Sequence, residues 1–183
     1  CIVAGFFHNI LELEQIDKNE LEEKLGKTIF CIISGTTKIT ALKIQNKTLQ
    51  QADSVRKMLF AMADDIRVIL VKLADRLDRL RNISFVQEDI QKKIAQEVID
   101  IWAPLANRLG MSSVKCELED LSLKILNPNV YAHLKKIVSL KKTERARYLE
   151  AVEKAVLSSA NRSGIEISIS SRAKHFYSIY QKM

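Results

Sequence analysis

The sequence contains few of the residues that interrupt helices. Only five glycines and two prolines occur among its 183 residues, which is sparse for a fold rich in strands and tight turns. Hydrophobic residues make up 47% of the chain and charged residues 28%, enough for both a buried core and a solvated surface. We therefore predict a globular, mainly α-helical protein built from long helices with short connections.

Cysteines and long apolar runs are also scarce. Cys1, Cys31 and Cys116 lie far apart and lack the short paired spacing of zinc sites. No segment reaches the roughly 20 apolar residues of a membrane span, and no signal peptide is visible. These features predict reduced thiols in a cytoplasmic protein with no membrane partner. Because the chain opens within an apolar pattern, we interpret it as a fragment.

Charge of one sign is not concentrated anywhere. The net charge of +7 suits an anionic partner such as a nucleotide or RNA. However, lysines and arginines are scattered among nearly as many acids and form no basic block. The charge alone therefore gives only slight support to a nucleotide partner.

The stretch over residues 64–81 predicts the central helix. Its main apolar stripe consists of Ile66, Ile69, Leu70, Leu73, Leu77 and Leu80. Val68 and Val71 fall on the opposite side, so the helix belongs inside a bundle. Asp75 shares the side of these valines and needs a partner there, because an unpaired buried charge is costly. From the residues alone, an ion pair with Arg79, one turn further on, is favoured over a metal or catalytic role.

Apolar periods and capping residues predict the remaining elements. Helices are expected up to residue 11 and over 17–26, 29–39, 52–62, 84–109, 112–126, 130–140, 144–161 and 173–183. Pro104 should kink or split its helix near Trp102. After Gly164, isoleucines alternate with polar residues over 165–170, which predicts a strand with one buried face. This change of period indicates a domain boundary near residue 164.

Several of these stretches, in this order, resemble the RelA/SpoT family, which makes and destroys the alarmone (p)ppGpp. The matching segments are Lys72-Leu73-Ala74-Asp75-Arg76-Leu77, preceded by Val71, and residues 56–59, 61–67, 103–110, 117–121 and 174–183. The resemblance implies an all-α helical bundle of the HD type over residues 1–155. Residues 156–183 would then form a linker and the short strand and helix that begin an α/β pyrophosphokinase domain.

The resemblance also implies a metal site, from which this chain departs. In hydrolase-competent members, a manganese ion is held by an early His, a His-Asp pair and a later Asp. His8 and Asp75 match two of these ligands, whereas Asn9 stands where the Asp of the pair should be. The early His would lie upstream of Cys1.

Two further departures concern catalysis. The family's Glu-Asp pair matches Glu12 and Leu13, and Asp78-Arg79 stands where active members carry His-Asn. Hydrolysis of the 3′-pyrophosphate requires an ion that polarises phosphorus and activates water, and a carboxylate that takes a proton. The changes therefore predict a degenerate hydrolase site that does not use Mn²⁺, with Arg79 occupying the space of the lost metal.

The C-terminal segment resembles the start of the synthetase domain. Arg172, Lys174, Ser178 and Lys182 match positions that face the ATP phosphates and adenine. Ser171 and Ala173 replace the usual Gly and Pro, and these two departures weaken the match at this turn. Partners implied for the parent protein are ATP with Mg²⁺ and guanine nucleotides, together with the ribosome through regions outside the chain; direct DNA binding is not implied.

Three functions stay open at this stage. The leading reading is a parent enzyme that moves pyrophosphate from ATP to the 3′-OH of GTP or GDP and keeps the hydrolase domain as a regulatory scaffold. The first alternative is a bifunctional or hydrolase-active enzyme in which Asn9 still ligates the metal. The second is a pseudoenzyme that binds a nucleotide or a partner without catalysis. Without the resemblance, His8 would be read as a core histidine and Lys174 and Lys182 as an exposed face.

Overall fold

The computed structural model describes residues 1–13, 16–41, 65–140, 142–169 and 174–183. Within these ranges the chain is mainly helical and contains no strand. It divides into two compact units, Cys1–Leu126 and Asn127–Met183. None of the helices in the described ranges has the length and apolar character needed to cross a membrane.

The first unit is a helical bundle. Its helices are α1 (Ile2–Phe6), α2 (Lys18–Leu25), α3 (Lys27–Ala41), α4 (Ile66–Arg81), α5 (Glu88–Glu97), α6 (Ala103–Arg108) and α7 (Ser112–Leu126). Short 3₁₀ turns lie at Ile10–Glu12 and Ile83–Phe85, and a π-helical turn at Val98–Trp102 joins α5 to α6. The expected helical bundle is therefore observed, whereas the helix predicted over 52–62 lies outside the described residues.

Capping residues define several helix ends. The Asp17 carboxylate accepts a hydrogen bond of 2.8 Å from the backbone N–H of Asn19 at the start of α2, and Gly26, with φ of 82°, follows its last residue. Asp65 caps α4 in the same way, through the backbone N–H of Arg67 at 2.9 Å. The start and end that the sequence predicted for α2 are confirmed.

Helix α4 is the central element of the first unit, since it contacts α1, α3 and α7. Its buried apolar residues lie on both sides, as predicted: Val68, Ile69, Val71, Leu73 and Leu80. Ile66, which was predicted for the main apolar stripe, is instead 48% exposed. Helix α3 approaches closely at Gly35, where an added Cβ would lie only 2.7 Å from Cγ2 of Val68. This packing fixes α4, and therefore Asp75, against the α1 and α3 side of the bundle.

Pro104 locally widens the long helix. The backbone N–H of Ala103 bonds to the carbonyl of Val98, five residues earlier, which is the π-helical pattern. Proline has no N–H and its ring crowds the carbonyl four residues before it, so a wider turn relieves the conflict. The predicted interruption near Trp102 is confirmed, and Trp102 is almost fully buried there.

The second unit contains α8 (Pro128–Leu140), α9 (Lys142–Arg162) and α10 (Phe176–Tyr180). Phe176 packs edge-on against Tyr131, with ring centroids 5.2 Å apart, which joins α10 to α8. Helix α10 is shorter than the helix that the sequence predicted over residues 173–183.

The strand predicted after Gly164 is wrong for residues 165–169, which are neither helical nor extended in a sheet. Ile165 is 57% exposed, so the alternating pattern has no buried face here. A strand needs a neighbouring strand for its ladder of hydrogen bonds, and the part of the chain that the structure describes offers none. The boundary predicted between residues 155 and 156 stays a prediction.

Candidate functional site

The structure brings His8 and Asp75 together. His8 lies in the turn after α1, and Asp75 lies in the middle of α4. Nε2 of His8 is 3.3 Å from Oδ1 of Asp75. The hydroxyl of Thr36 on α3, itself fully buried, donates to the backbone carbonyl of His8 at 3.0 Å. Contacts with two helices therefore hold the histidine in place.

The hydrogen bonds of His8 distinguish its two ring nitrogens. Nδ1 lies 2.7 Å from the carbonyl oxygen of Gly5, which can only accept, so Nδ1 carries a proton. Nε2 is buried and has no hydrogen-bond partner within the described chain. Its distance to Asp75 is short enough for an electrostatic contact, but the two groups are not aligned for a hydrogen bond. Nε2 is therefore the atom available to a second proton or to a cation.

Two cations approach the other oxygen of Asp75. Nζ of Lys72 lies 3.5 Å from Oδ2, and NH1 of Arg76 lies 3.4 Å from it. The Lys72 side chain is only 1% exposed. Burial lowers the pKa of Lys72 from its ordinary value of 10.5, as does Arg76, while Asp75 and Glu12 act in the opposite direction. Asp75 is thus compensated from inside the bundle.

The predicted ion pair between Asp75 and Arg79 is wrong. Arg79 is exposed, and the basic partners of Asp75 in the described structure are His8, Lys72 and Arg76. Helical side chains lean toward the N-terminus of their helix, so the Asp75 carboxylate lies over the preceding turn, near Lys72. Sequence reasoning missed Lys72, although its position one turn before Asp75 on a buried helix was a usable signal.

Arg76 connects the site to the π-helical turn. Its guanidinium lies 5.4 Å above the ring centroid of Trp102, within the range of a cation–π contact. Its Nε is 3.5 Å from Oε1 of Glu97, and the same oxygen accepts a hydrogen bond of 2.7 Å from Nε1 of Trp102. Glu97 therefore fixes the indole through a hydrogen bond and attracts the guanidinium behind Asp75 through its charge, while Nε of Arg76 makes no hydrogen bond within the described chain.

An open cleft of about 470 Å³ lies in front of the histidine and aspartate. Its lining is largely apolar and comes from α1 and α4, with polar groups supplied by His8, Asp75 and Asp78. Asn9 and Glu12 are exposed. Their side chains are not among the groups that line the cleft.

His8 and Asp75 match two ligands of the metal site that the resemblance implies. His8 Nε2 and Asp75 Oδ1 are 3.3 Å apart, about the separation expected of two ligands on one ion. However, even a catalytic zinc site has three protein ligands, and the described ranges hold no group of three His, Cys, Asp or Glu side chains that could bind an ion. Within the described residues, His8 and Asp75 are therefore the two candidate ligands that the structure brings together, and Asn9 supplies no third carboxylate.

The second unit carries the basic residues expected to contact ATP. A hydrogen bond with Lys182 and its like charge lower the pKa of Lys174, so the two amines lie close together. The Ser178 hydroxyl is 3.0 Å from Nε2 of His175. Arg172 lies outside the described residues. Two adjacent amines form a local positive charge that suits a phosphate group.

The fold and the paired His8 and Asp75 define the class of protein, that of HD domains, and a family model described as HD domain matches residues 1–112. The chain is 39% identical over 181 residues to a guanosine-3′,5′-bis(diphosphate) 3′-pyrophosphohydrolase of Borreliella burgdorferi. It is 41% identical over 185 residues to a GTP pyrophosphokinase of Myxococcus xanthus, and 36% identical over 182 residues to the bifunctional (p)ppGpp synthase/hydrolase SpoT of Escherichia coli. The chain belongs to the RelA/SpoT family.

These matches cover nearly all of this chain but only part of each relative. They span 99% to 100% of the chain, and 27%, 24% and 26% of the three relatives in the order given. The chain thus spans about a quarter of the length of the curated relatives it matches.

Proposed function

We propose that this chain belongs to an enzyme that transfers pyrophosphate from ATP to GTP or GDP, and that its HD domain is a degenerate hydrolase kept as a regulatory scaffold. The observation that carries the degenerate assignment is Asn9, which follows His8 at the position of the family's ligating carboxylate. Asn9 is exposed and supplies a neutral amide where the family has a carboxylate.

The loss of a candidate general base supports the same proposal. Leu13, which stands at the position of the family's second catalytic carboxylate, cannot accept a proton, and it is 62% exposed. Glu12 remains, but its charge acts on the Lys72 ammonium. A hydrolytic site needs a base within reach of the attacking water. Losing one carboxylate ligand and one carboxylate base removes both functions from this site.

The synthetase half of the proposal rests on the second unit. In the proposed reaction, the 3′-OH of the guanine nucleotide attacks the β-phosphorus of ATP, the bond to the α-phosphate oxygen breaks, and AMP leaves. Lys174 and Lys182, with Arg172 and Ser178, would bind the Mg²⁺-ATP phosphates. The proposed pyrophosphokinase domain begins after residue 155, and contacts with the ribosome would involve regions outside this chain.

A specific observation favours the hydrolase alternative. The buried Nε2 of His8 has no hydrogen-bond partner in the described chain and faces Oδ1 of Asp75. The relatives from Borreliella burgdorferi and Haemophilus influenzae are named as pyrophosphohydrolases. A third possibility, a pseudoenzyme that only binds nucleotide, would lack both activities.

One pair of assays separates the three functions in the full-length protein. Incubation with ATP, GTP and Mg²⁺ should yield AMP and pppGpp in equal amounts, and incubation with ppGpp and Mn²⁺ should release no pyrophosphate. Release of pyrophosphate that depends on Mn²⁺ and is lost in His8→Ala would establish the hydrolase alternative. Absence of both products would establish the pseudoenzyme.

A further inference from the structure

Lys72 is the most deeply buried charged side chain in the described part of the first unit. Its side chain is 1% exposed, and it lies among the buried residues Val68, Val71 and Leu73 of α4. A buried ammonium without compensation is too costly to keep. Its direct acidic contact in the described chain is Oδ2 of Asp75, at 3.5 Å.

The two oxygens of Asp75 face different groups. Oδ2 faces inward, toward Lys72 and Arg76. Oδ1 faces His8, whose Nε2 is 3.3 Å away. A carboxylate whose inner oxygen is held by a buried cation cannot rotate freely about its Cβ–Cγ bond. The orientation of the outer oxygen is therefore set by the contact on the inner one.

We propose that Lys72 is a positioning residue of the His8 and Asp75 site: together with Arg76, its buried ammonium holds Oδ2 of Asp75, so that Oδ1 is presented to Nε2 of His8. Lys72 does not line the cleft, so it acts through Asp75 and does not contact a ligand itself. The inference rests on the geometry of α4 and not on the proposed pyrophosphokinase activity. The inference about Lys72 would also hold if the site were an active hydrolase.

Arg76 NH1 donates a hydrogen bond of 3.4 Å to the same Oδ2, but Arg76 has further partners. Its guanidinium lies over Trp102, and its Nε is 3.5 Å from Oε1 of Glu97 without a hydrogen bond, so part of its charge stays offset when Asp75 is removed. Lys72 has no such second acid in direct contact within the described chain, since Glu12 acts on it only through its charge. Loss of Asp75 should therefore affect Lys72 more than Arg76.

Thermal unfolding of the 183-residue chain in EDTA tests the pair. Asp75→Asn should lower Tm by about 5–10 °C, because it leaves the Lys72 charge buried without a partner. The double variant Lys72→Met with Asp75→Asn removes both charges and should recover at least half of that loss. Arg79→Met, an exposed residue one turn beyond Asp75, is the matched control: combined with Asp75→Asn it should recover nothing.

A local signal separates positioning from simple packing. The ¹⁵N chemical shift of His8 Nε2, measured at one fixed pH, reports the group that faces this nitrogen. Lys72→Met preserves most of the side-chain volume and should move the signal toward its position in Asp75→Asn, whereas Arg79→Met should leave it unchanged. An unmoved signal in Lys72→Met, or a double variant less stable than Asp75→Asn alone, would overturn the proposal.

Discussion

Lys72 and Asp75, three residues apart on α4, form an ion pair in which Nζ lies 3.5 Å from Oδ2. The pair is enclosed on the lysine side and opens toward His8 on the aspartate side. Removal of one partner from a buried pair costs about 3–5 kcal/mol, because the other charge stays uncompensated. The full value applies only to a fully buried pair. Because the Asp75 side chain is 17% exposed, we expect the loss of one partner to cost less than this.

Helices α3 and α4 should not tolerate a methyl group at Gly35. The added Cβ would lie 2.7 Å from Cγ2 of Val68, which is buried and β-branched and so cannot turn away cheaply. Replacing a glycine inside a helix by alanine usually stabilises the helix. Here the steric clash outweighs that gain, so we expect Gly35→Ala to lower the free energy of unfolding by a net of roughly 1–2 kcal/mol. Urea denaturation measures this change.

Gly5 is the matched control for this substitution. It also lies in a helix, but its added Cβ would meet nothing within 4 Å, so Gly5→Ala should be neutral or slightly stabilising. Equal effects of the two substitutions would contradict the close approach of α3 to α4.

The Asp65 carboxylate should make the free energy of unfolding depend on pH in the acid range. Hydrogen bonds from the side chain and the backbone N–H of Arg67 hold the pKa of Asp65 below its ordinary value of 3.8. Because the folded pKa is the lower one, the stabilisation is fully present above the ordinary value and is lost as pH falls through the folded pKa. The pKa of Arg67 is raised by the same contact.

Asp65→Asn separates charge from capping, since asparagine also caps helices well. The free energy of unfolding of the unaltered chain should exceed that of the variant at neutral pH, and the two should converge in acid. Parallel curves across the acid range would show that the carboxylate charge of Asp65 contributes nothing.

Lys174 and Lys182 should matter more for ATP than for the guanine nucleotide in the full-length protein. The two amines lie close enough for the pKa of Lys174 to be lowered, and an ATP phosphate between them would relieve this repulsion. Replacing either by Ala should raise the KM for ATP and leave the KM for GTP nearly unchanged. Lys154, on α9 and paired with Glu150, is the control. Unchanged ATP kinetics in both lysine variants would refute the assignment.

The sequence predicted the bundle well because periodicity and capping report burial and helix ends directly. Both sides of α4, the caps of α2 and the interruption at Pro104 all follow from local patterns. The failure at residues 165–169 has a different cause. The alternation of Ile165 and its neighbours is compatible with a strand. However, a strand forms only where another strand pairs with it, and the pattern carries no information about that partner.

The contacts around Asp75 were harder to predict than its proximity to His8. His8 and Asp75 were identified through the resemblance, and the structure brings them together. The partner of Asp75 was not predicted correctly, because spacing along a helix gives the residues one turn away in either direction without saying which one the side chain leans toward. Lys72 and Arg79 both satisfy that spacing, and the lean of helical side chains selects Lys72.

Manganese titration of the full-length protein tests the degenerate HD site most directly. A ligand raises Tm only by binding the folded state, so a site with micromolar affinity would respond clearly to about 1 mM Mn²⁺. We predict the same Tm in Mn²⁺ and in EDTA, because Asn9 offers no carboxylate to complete the site of His8 and Asp75. A saturable rise in Tm that disappears in both His8→Ala and Asp75→Asn would contradict this account and show that the site still binds a metal.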